Sequence, residues 1–93
     1  MAPSPAYTRH GTWWVTTDDG RSIQRTGRDT LTYREGDRVY RFGVEITVTG
    51  IAVSPHDLTA TDGWTLDDAE RRAVWRRARE LLDASGDPYS ADD

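Results

Sequence analysis

The sequence predicts an α+β domain, an antiparallel β-meander of about four to six strands with one C-terminal helix packed on one face. Apolar and polar residues alternate with period two over most of the chain up to about residue 53, and a single segment with helical periodicity follows. At 93 residues the chain is too short for two independent cores, which indicates a single domain, 1–93. Its expected parts are a flexible N-terminal arm (1–8), a β-sheet (11–54), a helix (65–85) and a C-terminal extension (87–93).

The first predicted hairpin joins residues 12–17 (TWWVTT) to residues 21–26 (RSIQRT) through the turn sequence Asp-Asp-Gly. Its register stays open, because Trp13 with Val15 and Trp14 with Ile23 cannot all face the core across a simple two-residue turn. One of the two adjacent tryptophans must nevertheless point outward if the segment is a strand.

The second predicted hairpin is better specified, since Gly36-Asp37 is typical of a two-residue loop with glycine first. This loop predicts three cross-strand pairs on one face, namely Glu35 with Arg38, Tyr33 with Tyr40, and Leu31 with Phe42.

The strongest periodic signal runs over the even positions from Tyr40 to Val48, all of which we expect to face the core. A strand of that length is unusual, so Gly43 is expected to mark a bend, a bulge or a break. After Gly50 the apolar set moves to odd positions. Ser54-Pro55 then ends regular pairing before a predicted loop over 56–63.

The helix is predicted from its capping signals. Thr65 is a good N-cap, Asp68 occupies the capping-box position, and Trp64 can pack on Ala69. Gly86 and Pro88 predict a stop near Ala84 or Ser85. The inward stripe is expected to comprise Leu66, Ala69, Ala73, Val74, Ala78, Leu81 and Leu82, with Trp75 at its edge. Within the C-terminal extension, Tyr89 can dock back on the domain.

Several function classes are excluded by composition. The chain has no Cys and no Lys, so disulfides, thiolate nucleophiles, zinc ribbons and lysine Schiff bases are ruled out. Exclusive use of arginine as the basic residue is typical of a GC-rich, bacterial genome. Residues 1–6 (MAPSPA) have no basic region and no apolar run, so neither a signal peptide nor a membrane span is expected, and a cytoplasmic location is the default.

The two histidines, His10 and His56, are the main candidates for catalysis. A metal site needs three or four converging ligands, and the His56-Asp57 dipeptide has no spaced partners, so we expect neither a metal nor another cofactor. Ser54, His56 and Asp57 are too close in sequence to align as a hydrolase triad. A nuclease or hydrolase that uses both histidines stays open as an alternative.

Five arginines on the predicted helix raise the alternative of nucleic-acid binding. Neither half of the chain is net basic, however, and most of these arginines have acidic residues four positions away. A solvated helix face with intrahelical ion pairs is therefore expected, without affinity for membranes or nucleic acid. The arginines are Arg71, Arg72, Arg76, Arg77 and Arg79, and the expected pairs are Asp67–Arg71, Asp68–Arg72, Arg76–Glu80 and Arg79–Asp83.

A candidate partner-binding surface combines an outward tryptophan, assigned to Trp14, with Arg25 across from it. Arg34 and Arg41 extend this surface along the polar side of the sheet. Such a patch fits a protein partner, and the alternative is a cation–π pair that only stabilises the surface. Homodimerisation through an exposed strand edge or the outward tryptophan is compatible with either interpretation.

Over about the last two-thirds of its length, the chain resembles small bacterial immunity proteins of polymorphic toxin systems. The resemblance rests on residues 30–42 (TLTYREGDRVYRF) with Glu45 following, Trp64 ahead of a terminal helix, residues 68–72 (DAERR) and residues 86–89 (GDPY). It implies an inhibitor that binds a cognate toxin and has no active-site residues. The sequence analysis therefore favours a non-catalytic protein-binding module, an immunity or accessory protein that occludes its partner.

Overall fold

The structure, a computed structural model, describes residues 6–91. In it a series of strands is followed by one helix, in the order that the sequence predicts. These residues form one sheet with the strand order β1-β2-β3-β4-β5-β6-β7, and one helix. The α+β class is thus confirmed, with more strands than the four to six expected. The elements are β1 (Tyr7–Gly11), β2 (Trp14–Thr17), β3 (Arg21–Arg25), β4 (Thr30–Glu35), β5 (Arg38–Thr47), β6 (Gly50–Ala60), α1 (Asp68–Ser85) and β7 (Tyr89–Ala91).

The additional strands lie where an arm and an extension were predicted. Of the expected arm 1–8, residues 1–5 lie outside the described residues, and Tyr7 already begins β1, which pairs antiparallel with β2. Of the expected extension 87–93, residues 89–91 form β7, which pairs parallel with β6, and residues 92–93 lie outside the described residues. The parallel direction follows from the connection, because α1 carries the chain back before β7 begins.

The predicted pairing of the Gly36-Asp37 hairpin is confirmed for all three cross-strand pairs, and Gly36 has a positive φ of 59°. The hairpin of β2 and β3 is confirmed too, and its open register is resolved. Val15 pairs with Ile23, and both are buried. Trp13 lies in the turn before β2 with φ 50° and packs against the edge of the core, so Trp14 is the tryptophan that points outward.

The expectation that every even position from Tyr40 to Val48 faces the core is wrong for the last two. Tyr40, Phe42 and Val44 are buried, but Ile46 is 53% exposed and Val48 is fully exposed. Val48 lies in the turn between β5 and β6, where alternation no longer applies.

The irregularity expected at Gly43 is a bulge. Arg41 pairs with Thr59 while Gly43 pairs with Ser54, so residues 55–58 of β6 stand opposite a single residue of β5. Pairing does break after Ser54, as predicted, because Pro55 has no N–H to donate. The loop predicted over 56–63 is wrong in its first half, since pairing resumes at Thr59 and β6 continues to Ala60.

The helix begins three residues later than predicted. Asp67, rather than Thr65, is the N-cap: its carboxylate accepts from the backbone N–H of Glu70 at 2.7 Å, and the Glu70 side chain completes a capping box. The indole of Trp64 donates to Glu70 and stacks under Arg38, so it does not pack on Ala69, which is exposed. The predicted stop is confirmed, because α1 ends at Ser85 and Gly86 follows as a left-handed C-cap.

The backbone of α1 lies nearer to β1, β2, β3 and β6 than to β4 and β5, which stand between them in the sheet, so we infer that the sheet curves around the helix. Large side chains of the two central strands, Tyr33, Tyr40 and Phe42, fill the space between. Trp75 is part of this core rather than at its edge, with its ring 5.5 Å from that of Phe42. On the helix the buried residues are Val74, Trp75, Ala78, Leu81, Leu82 and Ser85.

A polar network joins α1 to the sheet around Glu35. Its carboxylate accepts from the Tyr33 hydroxyl at 2.8 Å and from Nε of Arg77 at 2.7 Å. Close by, Arg21 of β3 pairs with Glu80 of α1 at 3.1 Å. These contacts fix the rotation of the helix against the sheet, because they join both strand ends to one helix face.

The Glu35 network predicts acid-sensitive stability. Burial raises the pKa of Glu35. Hydrogen bonds from Arg77 and Tyr33, together with the charges of Arg77 and Arg21, lower the pKa by more than burial raises it, so it lies below its usual value. A lowered pKa stabilises the fold above the unfolded-state pKa, and this contribution is lost as pH falls through the folded-state pKa. We expect Glu35→Gln to cost about 1 kcal/mol at pH 7, a figure reduced because the side chain is partly exposed, and to cost less as the pH falls through the folded-state pKa.

Urea unfolding at several pH values between 3 and 7 measures this difference. The matched control is Glu45→Gln, which removes the same charge from an exposed side chain. If the free energies of unfolding of wild type and Glu35→Gln differed by the same amount at every pH in that range, the lowered pKa of Glu35 would be contradicted.

Candidate functional site

One side of the sheet is not covered by α1, and we call it the open face. Strand register defines its two central rows. Each row contains two short hydroxyl side chains, and the long side chains of the two rows are one tryptophan, one glutamine and two arginines. The first row comprises Trp14, Gln24, Thr32, Arg41 and Thr59, and the second comprises Thr16, Ser22, Arg34 and Val39.

Trp14 is the large aromatic side chain of the open face. It is 39% exposed, and its ring centroid lies 5.0 Å from that of His10. Nε2 of His10 is in turn 2.8 Å from the hydroxyl of Thr16, so the imidazole is held beside the indole. The outward tryptophan is therefore supported from one side and open to contact from the other.

The positive charge of the open face comes from Arg34 and Arg41. Both side chains are exposed, and neither has a hydrogen bond or an ion pair with any residue between 6 and 91. Because Arg34 is opposite Val39, the two arginines are diagonal neighbours on β4 and β5, a relation that typically separates Cα atoms by about 7–8 Å. Two arginines without an ion pair in the described part of the chain thus occupy neighbouring positions on the open face.

Arg25, the fourth residue predicted for this surface, lies elsewhere. It pairs with Leu31, which is buried under the helix, so its side chain leaves the covered side of the sheet. Its guanidinium lies 5.9 Å from the ring centroid of Trp13, and its Nε donates to the carbonyl of Gly27. The structure therefore places Trp14, Arg34 and Arg41 on the open face and Arg25 on the covered side.

The two histidines stand in separate environments. His10 belongs to the open face, next to Trp14, whereas His56 is exposed on the β6 bulge beside the helix. Within residues 6–91, no group of three or more His, Asp or Glu side chains is arranged to hold a metal ion. A two-histidine active site would need both imidazoles around one substrate, and these positions share no neighbour.

No helix in the described part of the chain is long and apolar enough to cross a membrane.

The helix arginines form the predicted solvated face in part, since Arg72, Arg76 and Arg79 are exposed, but several ion pairs differ from those expected. Arg71 binds Asp68 at 3.0 Å rather than Asp67, which leaves Arg72 without an ion pair inside residues 6–91. Glu80 binds Arg21 of the sheet rather than Arg76. Arg77 binds Glu35 across the layers. Three helix charges, Arg71, Arg77 and Glu80, therefore contact the strands and the bulge.

A cleft of about 290 Å³ lies between the β6 bulge and the first turns of α1, and we call it the β6–α1 cleft. Sequence reasoning missed it, because His56 and the helix arginines were considered separately. The available signal was a proline inside a strand-forming segment, which is typical of a bulge. Its lining residues are Pro55, His56, Asp68, Arg71, Arg72 and Trp75.

Comparisons with known proteins assign no family. No family model matches the chain, and no curated protein or solved structure matches it. The resemblance to immunity proteins therefore stays a prediction, and the function has to be inferred from the chain's own residues.

Proposed function

We propose that the protein is a non-catalytic binding module that covers an acidic surface of a protein partner with its open face. The observation that carries the proposal is a sheet face, not covered by the helix, that holds the exposed Trp14 and two arginines with no ion pair among residues 6–91. The proposed setting is the bacterial cytoplasm.

The residue types of the open face suit a protein interface. Tryptophan and arginine are the residues most enriched at the energetic centres of interfaces. The hydroxyl side chains around them lose little rotamer entropy when a partner approaches, and they can both donate and accept hydrogen bonds. These hydroxyl residues thus add little to the entropic cost of binding.

The charge of this surface favours an acidic partner. Burying Arg34 and Arg41 against apolar or basic groups would desolvate two cations without compensation, which is costly. Carboxylates on the partner would satisfy both guanidinium groups, each through a two-point contact. Because opposite charges attract at long range, the same pairs would also speed association at low salt.

The resemblance to immunity proteins agrees with such a role, since an inhibitor of this kind acts by occupying a surface and needs no chemistry of its own. Nucleic-acid binding is less well supported, because the formal net charge is −4 and Arg77 already has a carboxylate partner.

Charge reversal on the open face tests the proposal. Candidate partners are the products of the genes adjacent to this one in the native host, each purified and titrated against the immobilised full chain. We expect Arg34→Glu with Arg41→Glu to weaken binding of the true partner at least about tenfold, and Trp14→Ala to weaken it similarly. Reversing the contacted carboxylates of that partner should restore affinity for the double variant.

The matched control is Arg28→Glu with Arg76→Glu, which makes the same charge change at exposed arginines away from the open face. It should bind like wild type. Recognition would lie elsewhere if the partner bound the open-face double variant with wild-type affinity. The same conclusion would follow if the control variant lost as much affinity as the open-face variant.

A further inference from the structure

The β6–α1 cleft combines apolar walls with unsatisfied cationic donors. We propose that it binds a small planar organic phosphate, a site independent of the open face and of the proposed partner. The ligand class follows from the walls, from the arginines that are held there, and from the net charge of the lining.

The walls of the cleft are apolar and fixed. Pro55 and Trp75 are both buried as residues yet line the opening. The Trp75 ring is set edge-on against Phe42, so its orientation is determined by the core. A volume of about 290 Å³ is at the small end of ligand sites, which suits a single ring with one charged group.

Arg71 is already positioned for a ligand. Its Nε donates to the carbonyl of Leu58 at 3.4 Å, Nη2 donates to the carbonyl of Leu66 at 3.3 Å, and Nη1 donates to Asp68 at 3.0 Å. Since a guanidinium has five N–H groups, one on each terminal nitrogen is still available. An arginine held by three contacts loses little further entropy when it binds an anion.

Arg72 and His56 complete the cationic side of the cleft. Arg72 is exposed, and Asp68, its expected partner, is taken by Arg71. His56 adds a ring nitrogen from the bulge on the opposite wall. Asp68 offsets one of the two arginine charges, so the lining is net positive even with neutral histidine.

The phosphate group is favoured by the number of donors. Arg71 and Arg72 reach the cleft from α1 and His56 reaches it from β6, and a phosphate monoester offers three terminal oxygens in a tetrahedral arrangement. A carboxylate offers two oxygens in one plane and a single charge. The planar remainder of the ligand would lie along Pro55 and Trp75.

Titration of the full chain with phenyl phosphate and with inorganic phosphate tests the site, by calorimetry and by NMR shifts of the Trp75 indole and the His56 ring. We expect saturable binding of phenyl phosphate with Kd of about 1 mM, and about tenfold weaker binding of inorganic phosphate. Arg72→Gln should weaken phenyl phosphate about tenfold, and His56→Gln by a smaller factor.

Arg76→Gln is the matched control, since it removes one exposed arginine from the same helix outside the cleft. It should bind phenyl phosphate like wild type. The proposal is overturned by the absence of saturation at about 20 mM phenyl phosphate, by equal affinity for the two probes, or by equal losses in Arg72→Gln and Arg76→Gln. The open face and the β6–α1 cleft share no residue. Failure of the open-face experiment therefore leaves the phenyl phosphate result unaffected.

Discussion

Replacing Gly50 with alanine is expected to destabilise the protein by about 2–4 kcal/mol and to detach β7 from the sheet. Gly50 has a φ of 149°, which side-chain-bearing residues rarely adopt. A Cβ there would meet the backbone of Pro88, only 2.8 Å from its carbonyl carbon and nearer still to the oxygen. The Pro88 carbonyl would have to move, and with it the acceptor for the N–H of Ile51.

Urea unfolding gives the stability loss, and hydrogen exchange at Ile51 and Ala91 reports on the parallel pairing. Gly27→Ala is the control, because a Cβ at that position makes only ordinary contacts with Thr30. It should change stability by less than about 1 kcal/mol. If Gly50→Ala were as stable as wild type and the amides of Ile51 and Ala91 were still protected, β7 would not be packed against Gly50.

The second large effect is expected at Asp87, whose replacement by alanine should cost about 2–3 kcal/mol. Its carboxylate accepts from the backbone N–H of Trp13 at 2.8 Å and from Arg9 at 2.6 Å, and its side chain is only 12% exposed. Most of the cost arises from the Trp13 N–H, which is left without an acceptor. Arg9 is half exposed and contributes little.

Asp57→Ala is the matched control, since it removes the same charge from an exposed side chain. It should remain near wild-type stability in the same unfolding measurement. Asp87→Asn separates the two effects of the carboxylate, because an amide oxygen can still accept from Trp13. An Asp87→Ala protein as stable as the control would refute the connection between the C-terminal segment and the β1–β2 turn.

Features set by local chemistry could be predicted from the sequence. The Gly36-Asp37 loop fixes its own register, and Gly86 ends the helix, because both depend on backbone angles that few other residues adopt. The N-cap was less certain for a physical reason. Thr65 with Asp68 and Asp67 with Glu70 both satisfy the spacing of a capping box, and the chain uses the second.

Features set by distant contacts could not be predicted. Alternation identified Ile46 and Val48 as strand-like, but it does not show that the helix leaves that end of β5 uncovered. The strand β1 has no apolar alternation, and β7 forms only because α1 returns the chain to β6.

The candidate site was predicted in part. Face alternation placed Trp14, Arg34 and Arg41 correctly on the polar side. Arg25 was placed on the wrong side, because the register of its hairpin could not be predicted and Trp14 pairs with Gln24 instead. The β6–α1 cleft depends on a bulge that brings His56 beside the helix arginines, and no sequence periodicity reports such an insertion.

The curvature of the sheet determines which shapes the open face can meet. A sheet that curves around its own helix is convex on the other side, and two convex surfaces touch only over a small area. To bury the roughly 800 Å² per partner of a standard interface, the opposing surface has to be concave. For the binding role proposed above, this shape favours a partner whose contacted surface is concave.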